Sequence, residues 1–169
     1  MRVGLSDFIF DDKEVDHVMK VIKSGWLTQG KEVAQFEKDF AEYIGVKHAI
    51  AVNSGSSANL VAMEAFAQDV TLRSRRIHKG DEVITTPVTF ATSVFPIIQI
   101  GAVPVFVDVD DTLNINPALI KEAITDKTKA IVVVHLMGHP CDMEEIIRIA
   151  SCYSLLVLED SCEAIGALY

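Results

Sequence analysis

Cysteine is scarce in this sequence, and the three present, Cys141, Cys152 and Cys162, stand at no CxxC spacing. An odd, unpatterned set argues against a disulfide framework or a zinc knuckle and fits a reducing compartment. Cations are also short: 15 Lys and Arg face 24 Asp and Glu, for a formal charge of −9. Nucleic acid and an anionic membrane surface would repel such a chain, so neither is expected as a partner. No apolar run approaches the ~20 residues of a membrane span. The first residues, with Asp7, Asp11 and Asp12 soon after Met1, lack an apolar signal core. A cytoplasmic location is therefore expected. No internal repeat, low-complexity tract or long linker interrupts the 169 residues, and at 50% hydrophobic they suffice for one compact domain with a sizeable core.

What is present is an alternation of helical and strand patterns. Val15, Val18, Met19 and Ile22 fall at helical spacing between Asp11 and Ser24-Gly25, and Val33, Phe36, Phe40, Ala41 and Ile44 mark a second helix ending at Gly45. Between them lies Gly25-Trp26-Leu27-Thr28-Gln29-Gly30, a glycine-bounded loop with the only tryptophan, readable as a lid, a substrate wall or a packed turn. Apolar runs at 48–52, 82–86, 103–110, 129–135 and 152–158 predict at least five strands. Helical patterns follow near Leu60, Phe90, Asn116 and Met143. Near-continuous apolar strands in this alternation predict an α/β fold, a mostly parallel sheet with helices on both faces.

The chemistry-bearing residues fall just after predicted strands. The last strand runs into Glu159 and Asp160. Open parallel sheets bind ligands at strand carboxyl ends, and an Asp there can hold a protonated heterocyclic nitrogen; the same pair would also serve as a helix cap. Asn53-Ser54-Gly55-Ser56-Ser57-Ala58-Asn59 joins a predicted strand to a helix, so its unpaired N–H groups and the helix dipole suit a phosphate. It is neither a Walker A sequence nor GxGxxG, and a serine cap without a ligand reads the same way. Phe90 would stack on a flat ring or pack in the core. His135, His139, Cys141 and Asp142 lack a helical His pair and are interrupted by Pro140, so no metal is expected. The basic run over 71–79 reads as a solvated loop or an attractor of anionic substrate. Residues 54–57, Phe90, His135 and Asp160 are expected to gather on one rim.

Taken in order, Gly25-Trp26-Leu27-Thr28-Gln29-Gly30, Asn53-Ser54-Gly55-Ser56-Ser57-Ala58-Asn59, Gly80-Asp81-Glu82-Val83-Ile84, Phe106-Val107-Asp108-Val109 and Glu159-Asp160-Ser161-Cys162-Glu163-Ala164 resemble the DegT/DnrJ/EryC1/StrS family of PLP-dependent sugar aminotransferases. The resemblance implies a fold-type-I PLP transferase large domain, incomplete at the C-terminus. It implies a homodimer that uses PLP or PMP, an amino donor and a nucleotide-linked keto-sugar. By the same resemblance Ser56 and Ser57 match the segment that holds the PLP phosphate, Phe90 the ring-stacking aromatic and Asp160 the partner of the pyridinium nitrogen. Glu163 stands where many members have Gln near the PLP 3′-oxygen, and Trp26 and Thr28 are expected at the substrate. Residues 1–30 then form an N-terminal helix and active-site loop, and 31–169 the PLP-binding large domain. The Schiff-base residue is expected beyond Tyr169, so this chain is expected to hold no catalytic residue and to be inactive alone. The related nucleotide-sugar 3-dehydratase branch, with His in place of that Lys, is similar through Thr92-Ser93-Val94-Phe95-Pro96-Ile97 and Ser161-Cys162-Glu163. A non-catalytic truncated module is a third reading.

Overall fold

The computed structural model describes residues 10–168, and its contacts divide the chain into two units, Met1–Ala51 and Val52–Tyr169. In the first, α1 (Asp12–Ser24) opens with a capping box. Asp11 Oδ1 accepts the N–H groups of Lys13 and Glu14, and Glu14 Oε2 accepts the N–H of Asp11. Gly25 ends the helix at φ 71, a left-handed cap that costs glycine nothing. Helix α2 (Lys31–Ile44) ends the same way at Gly45. The strand predicted over 48–52 does not form. The Ala51 N–H donates to Glu37 Oε1 at 2.8 Å instead of to a neighbouring strand, and Ile50 is exposed. Apolar β-branched residues make a strand only where a partner takes up the backbone groups.

The second unit runs α3 (Gly55–Gln68), a 3-10 stretch (Val70–Arg75), β1 (Glu82–Thr85), α4 (Ala91–Gln99), β2 (Val103–Phe106), α5 (Pro117–Ala123), β3 (Thr128–Val134), α6 (Met143–Tyr153) and β4 (Leu156–Asp160). All four strands are parallel, in the order β2-β1-β3-β4. Four strands, not five or more, thus make the sheet of the described residues. Side chains of the central strand β3 alternate between two cores. Ala130 and Val132 join Met63 of α3 and Ile97 of α4, while Ile131 and Val133 join Ile120 of α5 and Ile146 of α6. Helices therefore cover both faces, as the apolar strands foretold.

Two strand boundaries differ from the sequence pattern. The ladder of β2 ends at Phe106 rather than 110, and Val109 makes only an isolated antiparallel bridge with Ile115. At the other end, Cys152 and Tyr153 complete α6, whose cap Ser154 turns the chain at φ 58. The strand consequently starts four residues later than predicted and takes in Glu159 and Asp160, paired with Val133 and Val134. The carboxylates are the last rungs of the ladder, which fixes their backbone more firmly than a loop would.

Candidate functional site

Along β4, Leu156, Leu158 and Asp160 share one face by alternation, and the two leucines pack in the core that α3 and α4 cover. There Asp160 Oδ2 accepts hydrogen bonds from Asn59 Nδ2 at 2.8 Å and Ser93 Oγ at 2.7 Å. Ser93 Oγ in turn accepts from Thr89 Oγ1 at 3.0 Å, and Asp160 Oδ1 accepts from the Cys162 N–H at 3.2 Å. Sequence reading missed Asn59 and Ser93. The signal was present: Asn59 lies one and two turns from buried Met63 and Ala67, and Ser93 lies one turn from buried Pro96 and Ile97. A polar residue on a buried apolar stripe needs a partner.

Ser54 caps α3, its Oγ accepting the Ser57 N–H at 3.2 Å. The N–H groups of Gly55 and Ser56 have no protein acceptor among the described residues, and they point from the positive end of a 14-residue helix. A cavity of about 350 Å³ is lined by Gly55, Ser56, Phe90, Asp160 and Glu163, with Asn59 and Ser93 beside them. That volume falls in the range of about 300–1,000 Å³ usual for small-molecule sites. Phe90 is 76% exposed, which removes the core reading and leaves an open ring face. Ser57 lines an adjoining depression with Phe95 and Pro96 instead. Glu163 Oε2 accepts the Met137 N–H at 2.5 Å.

His135, expected on the same rim, turns to the other face of the sheet. Its Nδ1 accepts the Cys141 N–H at 3.0 Å, so the ring hydrogen sits on Nε2, 3.1 Å from Glu159 Oε2. That hydrogen bond holds the Glu159 carboxyl below the usual carboxylate range. The pair ties the ends of β3 and β4 together. Among the described residues no three His, Cys, Asp or Glu side chains gather where they could hold a metal, and no helix is long and apolar enough to cross a membrane.

Trp26 and Thr28 belong to the first unit, where they line a depression of about 680 Å³. The indole Nε1 donates to Gln29 O at 2.9 Å. In the basic run, Arg76 Nε donates to Ala67 O at 3.0 Å, a structural use of one cation.

The second unit is therefore a parallel α/β layer in which a helix N-terminus with unpaired N–H groups, an exposed aromatic ring and a braced carboxylate line one cavity. The chain belongs to the DegT/DnrJ/EryC1/StrS aminotransferase family, which it matches over residues 9–169. It is 44% identical over 158 residues to the spore coat polysaccharide biosynthesis protein SpsC of Bacillus subtilis, covering 93% of this chain and 38% of that protein. It is 45% identical over 159 residues to the dTDP-3-amino-3,6-dideoxy-alpha-D-galactopyranose transaminase of Aneurinibacillus thermoaerophilus, covering 93% and 41%. Among solved structures, E. coli GDP-4-keto-6-deoxy-D-mannose-3-dehydratase with bound hydrated PLP aligns at a TM-score of 0.92 and 40% identity, covering 99% of this chain and 43% of that one. The architecture is the fold-type-I PLP transferase large domain, and the chain spans about two-fifths of the length of these relatives.

Proposed function

We propose that this chain forms the cofactor-holding part of a PLP-dependent aminotransferase acting on a nucleotide-linked keto-sugar. The observation that carries the reading is the placement of three features around one cavity: Asp160 braced by Asn59 and Ser93, the unpaired N–H groups of Gly55 and Ser56, and the exposed face of Phe90. They fit the three parts of PLP, a ring nitrogen, a phosphate and a flat ring.

Gly55 and Ser56 would bind the phosphate through backbone N–H groups, with the Ser56 hydroxyl as a further donor. Phe90 would cover one ring face, and Asp160 would hold the proton on the ring nitrogen. Bound there, PLP supplies an electron sink for a carbon that loses its proton. Asn59 and Ser93 fix the rotamer of Asp160, so its carboxylate is oriented before any ligand arrives. Trp26 and Thr28 would meet the sugar nucleotide in the assembled homodimer. Among the described residues no lysine lines the cavity, so in this reading none of the cavity's own residues bonds the amine. The chain alone should not turn over.

A second reading, a nucleotide-sugar 3-dehydratase, is supported by the 40% identity to the E. coli dehydratase. One experiment addresses both. PLP is titrated into the chain and into Asp160→Asn, and the protein from the complete reading frame is incubated with glutamate and dTDP- or GDP-linked 4-keto-6-deoxy sugars. Saturable PLP binding that Asp160→Asn weakens, with an aminated product, supports the aminotransferase. Loss of a hydroxyl without a retained amine selects the dehydratase, and absence of saturable PLP binding overturns both.

A further inference from the structure

Two turns meet at the wall of the Asp160 cavity, and one carboxylate joins them. The turn after β3 places Met137 at φ 54, ψ 26 and Gly138 at φ 79, and the His139 N–H donates back to Leu136 O at 3.0 Å. Positive φ at both central positions is the pattern of a type I′ turn, which suits glycine and asparagine. Gly138 meets that demand without strain. Met137 does not, since a Cβ in the left-handed region crowds the neighbouring carbonyl. Its side chain is 79% exposed, so burial does not hold the residue in place. The turn after β4 supplies what does: Glu163 Oε2 accepts the Met137 N–H at 2.5 Å. The two turns are also close through the backbone, because a Cβ on Gly138 would come within 3.1 Å of Glu163 O. Asn114 fixes the flanks of the first turn, its Oδ1 accepting the Leu136 N–H at 3.1 Å and its Nδ2 donating to His139 O and Pro140 O at 3.0 and 3.2 Å.

We infer that Glu163 is a positioning residue, which locks the left-handed Met137 and thereby sets the Leu136 side of the cavity wall against the turn that follows Asp160. The inference rests on the proposed PLP site for its functional consequence, but the lock itself is a property of the cofactor-free chain. It gives Glu163 work that needs an acceptor oxygen on the backbone of a neighbouring turn, and that a direct contact with a bound ring would not require. Leu136 and Glu163 both line the cavity, so loosening one turn changes the shape offered to a ligand.

The test separates the lock from a direct role in binding. Amide hydrogen exchange of Met137 is measured on the cofactor-free wild type, Glu163→Ala, Glu163→Gln and the double variant Met137→Gly/Glu163→Ala. Glu163→Ala should speed exchange of the Met137 amide by about tenfold, the ordinary worth of a lost hydrogen bond, while Glu163→Gln, which keeps an acceptor oxygen, retains protection. PLP affinity is then compared. Glycine adopts the left-handed turn unaided, so Met137→Gly should restore most of the affinity that Glu163→Ala loses. Unchanged exchange in Glu163→Ala overturns the lock. A loss of affinity that Met137→Gly does not restore assigns Glu163 to direct contact with the ligand and overturns the positioning role. If wild type binds no PLP while the exchange pattern is as expected, the lock stands and the cofactor reading fails.

Discussion

Asn59 and Asp160, 101 residues apart in sequence, meet through a 2.8 Å hydrogen bond from Nδ2 to Oδ2. The bond joins the first turns of α3, whose end presents free N–H groups, to the last rung of β4. It therefore couples the end of the cavity that carries these N–H groups to its carboxylate. Asn59→Leu, close in shape but without a donor, should leave Oδ2 with Ser93 alone and weaken PLP binding by about tenfold or more, the usual worth of a hydrogen bond to a charged group. An equilibrium titration of PLP fluorescence reads this directly. Affinity equal to wild type would show that Ser93 suffices.

Ile131 is fully buried in the central strand, between α5 and α6 on its face of the sheet. Ile131→Ala should cost about 2–5 kcal/mol through lost burial and an incompletely closed cavity. Urea unfolding followed by far-UV circular dichroism measures it. A cost under about 1 kcal/mol would mean that the helices close over the gap.

Gly30 lies against the indole of Trp26, and a Cβ at position 30 would come within 2.5 Å of Trp26 Nε1. Gly30→Ala must therefore displace the ring and break its 2.9 Å bond to Gln29 O. With only one tryptophan in the chain, the intrinsic emission reports that movement alone. The expected result is a shift in emission maximum with little loss of helix. An unchanged spectrum would place the indole elsewhere in solution.

The parallel α/β layer was legible because β3 is apolar on both faces and the helices repeat at helical spacing, patterns that need no knowledge of partners. Asp160 and Ser56 stood out for a related reason, since one closes an apolar strand and the other lies in the first turn of a helix. The errors share a cause. Residues 48–52 carry strand-like side chains but have no pairing partner among the described residues, and Cys152 and Tyr153 read as strand until the left-handed Ser154 ends α6 after them. His135 looked like a rim residue, yet strand alternation and the Cys141 N–H turn it to the face opposite Asp160. Asn59 and Ser93 were visible only as polar residues on apolar helix stripes; their common partner was hidden, because a hydrogen bond spanning 101 or 67 residues leaves no local spacing to count.

Acid should weaken the fold through two carboxylates held below their ordinary range. Glu145, in the first turn of α6, is pushed down to about 2 by Arg148, whose Nε lies 2.6 Å from Oε2, and then by Lys121 of α5, whose Nζ lies 3.2 Å from Oε1. Glu159 is lowered by His135. A carboxyl with a depressed folded-state pKa stabilises the fold fully above its unfolded value, here 4.5, and that contribution is lost as pH falls through the folded value. For Glu145 the loss runs from 4.5 down to about 2. The Glu145 pairs are at the surface, so solvent and salt screen them and the effect is modest. Glu145→Gln should lower Tm at about pH 6 and make progressively less difference toward about pH 2, where the wild-type carboxyl is itself becoming neutral. Thermal unfolding across that range, with a carbon-13 titration of the Glu145 carboxyl, tests the assignment. A Tm loss that stays constant down to the lowest pH would mean that Glu145 acts through packing and not through its charge.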